Sequence, residues 1–310
     1  MKLYDLLEKA LLKIEMNIKE GINVDDLAES ISISSVHLRR LFRFAFKQTI
    51  SKYIRSRRLS ASLDDLLQNK LNILDIALDY GFEYEQSYIR SFKQEFGITP
   101  GDFRINGKII KITPPIRLFD RNKLEDGVLF GPDIVVVPGF HMIGKLHDIP
   151  RKDAVVLAQE AALQFWKEEK LKVETVVDPN VYIGLTRNMN WENSSSEYLP
   201  SVRVKNLKNI PNGLCGDTFE TSLCVRFRYI GQHHYYELNS KRAYAMYESI
   251  EKYFADDNSQ YDHIHNTKYK NILNQRHHHF ERIDTKLYDG TYCQMEWFAP
   301  IQKKDKNDQK

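Results

Sequence analysis

The chain of 310 residues is 42% hydrophobic and 28% charged, with a formal net charge of +3. These proportions exclude a collagenous, low-complexity or wholly disordered chain. Its apolar runs stop far short of the ~20 residues that cross a bilayer, and so small a net charge names no partner. The length suggests about two domains at ~150 residues each. The opening MKLYDLLEKALLKIE places Asp5 and Glu8 where an export signal needs an unbroken apolar core. Cys215, Cys224 and Cys293 are odd in number and too far apart for a disulfide framework or a CxxC pair. The expected home is therefore the reduced cytoplasm.

In chain order, Val24, Leu27, Ala28 and Ile31 fall at i, i+3, i+4 and i+7. This predicts a short amphipathic helix with Asn23 as N-cap and Asp26 in its first turn. The pattern returns as Ile73, Ile76, Ala77 and Tyr80, after Asn72 and with Asp75, at an offset of 49 residues (73 − 24). A break follows each helix, SIS (32–34) and then GFE (81–83). A second helix then carries Leu38, Phe42 and Phe46 in the first copy and Tyr88, Phe92 and Phe96 in the second. Its offset of 50 (92 − 42) gives the second turn one extra residue. A repeat that keeps caps and core positions while varying the turn is a duplicated structural unit, here two helix-turn-helix motifs. Residues 49–68 between them predict one helix of about 30 Å. Successive major-groove segments on one face of B-DNA lie about 34–36 Å apart, so one chain can present both second helices to one side of a duplex.

From Ser34 to Arg58 the chain has Arg39, Arg40, Arg43, Lys47, Lys52, Arg55, Arg57 and Arg58 but no Asp or Glu. Such a run alone is an ordinary solvated face; its place on the second helices gives it meaning. The faces away from the apolar stripe carry Ser35, Val36, Arg39, Arg40 and Arg43, then Glu85, Gln86, Ser87, Arg90 and Lys93. Arg and Gln are suited to bidentate hydrogen bonding with guanine and adenine edges.

After Arg104 the text changes. KIIKITPPIRLFDRN with Pro114-Pro115 reads as a linker or a short edge strand, and residues 109–132 are taken as the linker between a helical domain of 1–108 and a second domain of 133–302, with a disordered tail at 303–310. A strand is expected over 133–149, a helix from about Asp153 to Lys172, and strands over 181–187 and 198–205. The order repeats with a strand over 221–230, a helix over 243–254 and strands around 279–283 and 292–301. The fold class expected is an all-α N-terminal domain, its two helix-turn-helix motifs joined by a long helix. It is followed by an α+β domain of two strand-helix-strand-strand repeats with a groove where the halves meet. His277, His278 and His279 are adjacent strand residues that point to opposite faces and cannot converge on one metal. His263 and His265 lack an acidic or cysteine partner at ligand spacing. Cys224 alternates with apolar neighbours as a buried thiol does, and no phosphate loop or nucleophile elbow is present. No cofactor, metal or catalytic residue is expected.

The run from Val24 to Arg104, with LAES, SSVHLRRLF, YIRSRRL, ILDIALDYGF and SYIRSFKQEFGITPGDFR, resembles the AraC/XylS-type DNA-binding domain. The resemblance implies base readout by Val36, Arg39 and Arg40, then by Gln86, Ser87 and Arg90. Departures touch the site preferred. Val36 offers only contact with a thymine methyl, Ile89 makes no hydrogen bond to a base, and Glu85 accepts only from cytosine. GLTR, GQHHYYEL, FERI and MEWFAPI, within roughly 130–302, resemble the GyrI-like effector-binding domain, and Rob-type regulators join the two modules in this order. That resemblance implies a groove carboxylate at Glu296 with walls at Trp166, Tyr182, Tyr229, Trp297 and Phe298, suited to a cationic or lipophilic ligand. The expected function is a cytoplasmic, nucleoid-associated transcriptional regulator and not an enzyme. Double-stranded DNA, a small-molecule effector and RNA polymerase are its expected partners, and no membrane is. The alternative is a GyrI-like small-molecule hydrolase fused to a DNA-binding domain, with Glu296 activating water.

Overall fold

The computed structural model describes residues 2–68, 70–107, 110–118, 123–124, 127–190, 195–237, 240–255, 261–263, 277–288 and 290–303. The tail expected at 303–310 lies outside them beyond Lys303. The chain divides into two compact units, 1–119 and 120–310.

The first unit is helical: α1 Leu3–Met16, α2 Val24–Glu29, α3 Ser35–Phe46, α4 Ile50–Gln68, α5 Ile73–Asp79, α6 Glu85–Phe96 and α7 Pro100–Asn106. Local chemistry starts these helices where the sequence says. The side chain of Asn23 accepts from the Asp25 amide at 2.7 Å and that of Asn72 from Asp75 at 2.7 Å. Ser34 caps α3 through the His37 amide at 3.2 Å, and Thr99 caps α7 through Asp102 at 3.1 Å, with Pro100 in its first turn. The turns after α2 and α5 are built alike. Ser32 and Gly81 take left-handed φ values of 62° and 70°, and the amides of Ile33 and Phe82 return to the carbonyls of Ala28 and Ala77 at 3.1 and 2.9 Å. The pairing of Ile33 with Phe82 keeps the offset of 49, so the extra residue of the second copy enters after Phe82, at Glu83.

Two apolar cores result. Ala10, Leu11, Ile14, Leu27, Ala28, Leu38, Phe42 and Tyr53 form the first; Leu59, Leu63, Leu66, Ile76, Ala77, Tyr88, Phe92 and Phe103 form the second. Both use α4, its N-terminal half in the first and its C-terminal half in the second. Residues 110–118 differ from the expected free linker. They run along this unit, with the Thr113 amide donating to Ser60 Oγ at 2.9 Å and Ile116 and Leu118 packed on the first core. Extended chain can satisfy its amides on side chains where no strand is at hand.

Among the described residues the second unit has eleven strands: β1 Lys123–Leu124, β2 Gly127–Val137, β3 Phe140–Gly144, β4 His147–Pro150, β5 Val181–Asn190, β6 Ser195–Val204, β7 Cys215–Phe219, β8 Ser222–Gly231, β9 Tyr261–His263, β10 His277–Asp284 and β11 Cys293–Lys303. Helix α8 (Ala154–Gln164) is prolonged by a π turn and a 3-10 turn to Lys172, and α9 spans Ser240–Ala255. The span 133–149, expected as one strand, is three pieces, because Pro138-Gly139 and Lys145-Leu146 turn the chain between them. Residues 127–132, expected as linker, open β2 with Gly127, Val128 and Leu129 buried.

The sheet runs β1-β2-β8-β11-β10-β5-β6-β3-β7. Within it β3 pairs β6 and β6 pairs β5; likewise β8 pairs β11 and β11 pairs β10. The two triplets meet where β5 pairs β10. Met246 and Ile250 of α9 pack on Val225, Phe227, Met295 and Trp297, and Ala161 of α8 packs on Ile149 and Tyr198. One face of the sheet is therefore roofed by helices.

Ala28 and Ala77 are wholly buried where each short helix crosses its partner. Ala77→Leu should overpack that crossing and cost ~1–3 kcal/mol, read as a lowered urea midpoint. A variant as stable as the parent would show that the crossing does not depend on the small side chain.

Candidate nucleic-acid interface and buried carboxylate site

On α3, Val36, Arg39, Arg40 and Arg43 stand at i, i+3, i+4 and i+7, all exposed, opposite the buried Leu38, Leu41, Phe42 and Ala45. Val36 is 72% exposed, an apolar side chain left in water at the start of a basic helix. Ser35 is half-buried, and its hydroxyl bonds the Asp25 carboxylate, which Arg39 also reaches at 3.5 Å. The Ser35 hydrogen bond, then Arg39, holds the Asp25 carboxyl below its ordinary range. On α6, Gln86, Ser87, Arg90 and Lys93 are exposed opposite Tyr88, Phe92 and Phe96, while Glu85 and Ile89 are half-buried.

The basic run divides. Arg39, Arg40, Arg43, Lys47, Lys52 and Arg55 are exposed, but Arg57 and Arg58 turn inward. Arg57 grips the Glu15 carboxylate with two bonds, at 2.9 and 2.8 Å, and donates to the Thr113 carbonyl at 2.7 Å. Arg58 donates to the Glu20 carbonyl at 3.0 Å and that of Gly81 at 3.4 Å. Arg57 is thus buried on protein acceptors, and Arg58 is half-buried with both terminal nitrogens on backbone carbonyls. In sequence they look like their neighbours; only the helical phase of α4 separates them.

A helix-turn-helix domain model matches residues 27–106. Over 96 residues the chain is 38% identical to the probable transcription factor PqrA of Proteus vulgaris, covering 31% of this chain and 79% of that protein. It is 37% identical over 91 residues to the regulatory protein SoxS of Salmonella typhimurium, covering 29% of this chain and 85% of that one. The chain belongs to the AraC/XylS family of transcriptional regulators. Within that family it is similar to the transcriptional regulator Rob of Salmonella typhimurium, 35% identical over 115 residues, which are 36% of this chain and 40% of Rob. It is a DNA-binding transcriptional regulator of the AraC/XylS type. Among the described residues no helix is long and apolar enough to cross a membrane, and no group of His, Cys, Asp and Glu is placed to hold a metal.

The second unit of this AraC/XylS-family regulator holds a different kind of site. Under the helices, Glu281 of β10 lies directly across from Trp297 of β11 on one side and Gly184 of β5 on the other. The Tyr198 hydroxyl donates to Glu281 Oε1 and shares a 2.6 Å hydrogen bond with the Tyr182 hydroxyl. Glu281 Oε2 is buried with no hydrogen-bond partner among the described residues. Tyr247 of α9 closes the other side, its hydroxyl 3.5 Å from His279 Nε2 and its ring edge-on to Trp297. A Cβ on Gly184 would strike both the Glu281 carboxylate and the Tyr198 hydroxyl, so this glycine makes the room they occupy. Burial pushes the Glu281 carboxyl up to about 7, against the opposing Tyr198 hydrogen bond. Burial, with Glu281 next in weight, raises both Tyr182 and Tyr198 well above the ordinary phenol range.

The six groove residues expected from sequence do not converge. Tyr182 and Trp297 line this site, and Trp166 meets Tyr182 edge-on at 6.1 Å. Tyr229 lies further along the same face in the core under α9, its hydroxyl 2.8 Å from His233 Nε2. Glu296 and Phe298 are on the opposite face. Glu296 accepts from Arg282 at 2.8 Å and Arg226 at 3.5 Å, and Phe298 stacks on Phe280 at 4.7 Å. The carboxylate among aromatic rings is Glu281, not Glu296, because strand side chains alternate and Cys293, Met295, Trp297 and Ala299 fix which parity faces the helices. That apolar parity was present in the sequence, and with it the FERI glutamate becomes the one opposite Trp297. Cys224 is a buried thiol, raised to about 12 by burial.

Between about pH 4.5, the ordinary value, and about pH 7, folded Glu281 keeps a proton that the unfolded chain has lost. Its cost to stability therefore grows as pH rises through that window and is full above it. Glu281→Gln should melt progressively higher than the parent across the window, with a constant difference below it. A pH-independent difference would show that the carboxyl is not desolvated.

Proposed function

We propose that this regulator reads DNA with both helix pairs, α3 and α6 entering successive major-groove segments on one face of a duplex. The observation that carries this is the twofold use of one design around α4: asparagine caps on both α2 and α5, equivalent left-handed turns, and an exposed face on each second helix, carrying Val36, Arg39, Arg40 and Arg43 on α3 and Gln86, Ser87, Arg90 and Lys93 on α6. Helix α4 has 19 residues, about 28 Å at ~1.5 Å per residue, close to one turn of B-DNA. Arg40 and Arg90 occupy matched positions and suit guanine edges, Gln86 suits adenine, and Arg43 and Lys93 suit phosphate. One chain then suffices for two adjacent half-sites.

The second unit, in this reading, is the effector-binding domain, its two strand triplets with α8 and α9 forming two strand-helix-strand-strand repeats around the β5–β10 seam. The buried Glu281 with an unsatisfied oxygen, ringed by Tyr182, Tyr198, Tyr247 and Trp297, supports a small, cationic or lipophilic effector. A cation gains charge attraction and ring-face attraction together. The chain then acts in the cytoplasm as a ligand-responsive transcription factor.

The DNA part is tested on the full-length chain with a duplex selected from a random pool. Binding should weaken steeply with salt. Arg40→Ala should lose ~1–3 kcal/mol on the selected duplex and relax preference at one base pair. Equal losses on selected and random duplexes would show that Arg40 does not read bases. For the effector site, Glu281→Gln should weaken an aromatic cation such as a tetraphenylphosphonium ion by ~1–3 kcal/mol and leave a neutral analogue of the same shape unaffected, as measured calorimetrically. Identical titrations of both ligands on both proteins would remove the cationic effector.

A further inference from the structure

Residues 110–118 form neither helix nor strand, yet α4 presents a stripe of its own to them. Tyr53, Arg57 and Ser60 stand at i, i+4 and i+7, on one side of the helix. Each bonds the backbone of the segment. Ser60 Oγ accepts from the Thr113 amide at 2.9 Å, Arg57 donates to the Thr113 carbonyl at 2.7 Å, and the Tyr53 hydroxyl accepts from the Ile116 amide at 3.0 Å. Behind them Glu15 of α1 takes two bonds from Arg57 and one from the Tyr53 hydroxyl at 3.3 Å. A single ion pair, its arginine side chain 10% exposed and its glutamate 25%, thus joins α1, α4 and the segment. Ile110 packs on the core of the second helix pair, and Ile116 and Leu118 on that of the first. Like α4 itself, the segment touches both cores. Pro114-Pro115 stiffens the stretch between its two anchored amides.

We propose that this segment is a strap whose docking on α4 positions the two helix pairs for DNA, making Tyr53, Arg57 and Ser60 positioning residues and coupling strap docking to DNA binding. The strap is held by a few side-chain bonds and three aliphatic contacts, not by a sheet ladder, so it opens at less cost than the helices it crosses. Coupling is reciprocal: a duplex that prefers the docked unit tightens the strap by the factor that the docked strap adds to DNA affinity. Leu118 leads by covalent chain to the second unit, so a change that pulls on the chain there reaches the DNA-binding face through this strap, with no ligand near the DNA.

The test uses the full-length chain and the selected duplex. Arg57 is left in place, since removing it strands the Glu15 charge. Tyr53→Phe combined with Ser60→Ala deletes the two hydroxyls that hold the strap amides, adds or removes no charge, leaves the exposed stripes as they are, and leaves Glu15 its two bonds from Arg57. Binding should weaken about five- to tenfold with an unchanged salt slope, while Ser60→Thr, which keeps a hydroxyl, should bind as the parent does. In the parent chain, hydrogen exchange at Thr113 and Ile116, which flank two prolines without amides, should slow several-fold when duplex saturates it. Affinity within twofold of the parent for the double variant, or exchange indifferent to DNA, would overturn the proposal. Should the double variant melt early, exchange in the parent alone decides. Arg40→Ala is the control for the DNA-reading face. If it leaves affinity unchanged, that face is misassigned, and the strap is still judged by exchange.

Discussion

The first unit depends on one constraint: helix α4 must serve three surfaces at once. Its N-terminal half closes the core around Phe42 and its C-terminal half the core around Phe92. A third stripe, Tyr53, Arg57 and Ser60, holds the strap. A surface helix ordinarily buries one face and leaves the other to water. This one has little face left over, which explains why a helix with several arginines has a buried one. The Arg57–Glu15 pair is tolerable there because each guanidinium nitrogen finds an acceptor, two on the carboxylate and one on a backbone carbonyl, which offsets much of the cost of leaving water. Each helix pair then needs only its own small apolar contacts to be held at a fixed distance from the other.

The second unit solves a different problem. Two strand triplets with matching pairings meet at β5–β10, and the seam between them is where helix cover is shared between α8 and α9. Glu281 sits at that seam. Its desolvation is partly relieved by one phenol, and the rest of the cost remains as a raised carboxyl pKa and an unsatisfied oxygen. Buried polar groups left this way are uncommon in a fold that has had the chance to remove them. On the other face of the same strands, Glu296 is held by two arginines. Two glutamates in paired strands thus have opposite electrostatics, one isolated among rings and one neutralised.

The repeated helix pair was legible in the sequence because every signal it needs is local. Caps sit within three residues of the amides they serve, the apolar stripe has the helical period, and the left-handed turn residue stands at a fixed distance from the small alanine. Even the extra residue of the second turn was visible as a change of offset. The charged face opposite the stripe followed from the same period, so Val36, Arg39, Arg40, Arg43, Gln86, Ser87, Arg90 and Lys93 were placed on the exposed sides of their helices. The strands of the second unit were read in their order. Their breaks at Pro138-Gly139 and Lys145-Leu146, and the short strands β1, β7 and β9, were not, since a turn inside an apolar run changes pairing more than composition.

Sequence by itself therefore determined the two repeated helix pairs, the main strands of the second unit, and which face of α3 and α6 meets water, because those follow from spacing along one chain. Tertiary structure decided what two residues of like kind do. Arg40 lies exposed on α3, whereas Arg57 is buried against a carboxylate from forty-two residues away. Glu281 and Glu296 differ only in which side of a strand the helices cover. The segment before the second unit became a strap and not a tether because three side chains one helical turn apart found its amides and its carbonyl. Those outcomes rest on contacts between distant parts of the chain, where burial and hydrogen-bond satisfaction choose among arrangements that local pattern leaves equal.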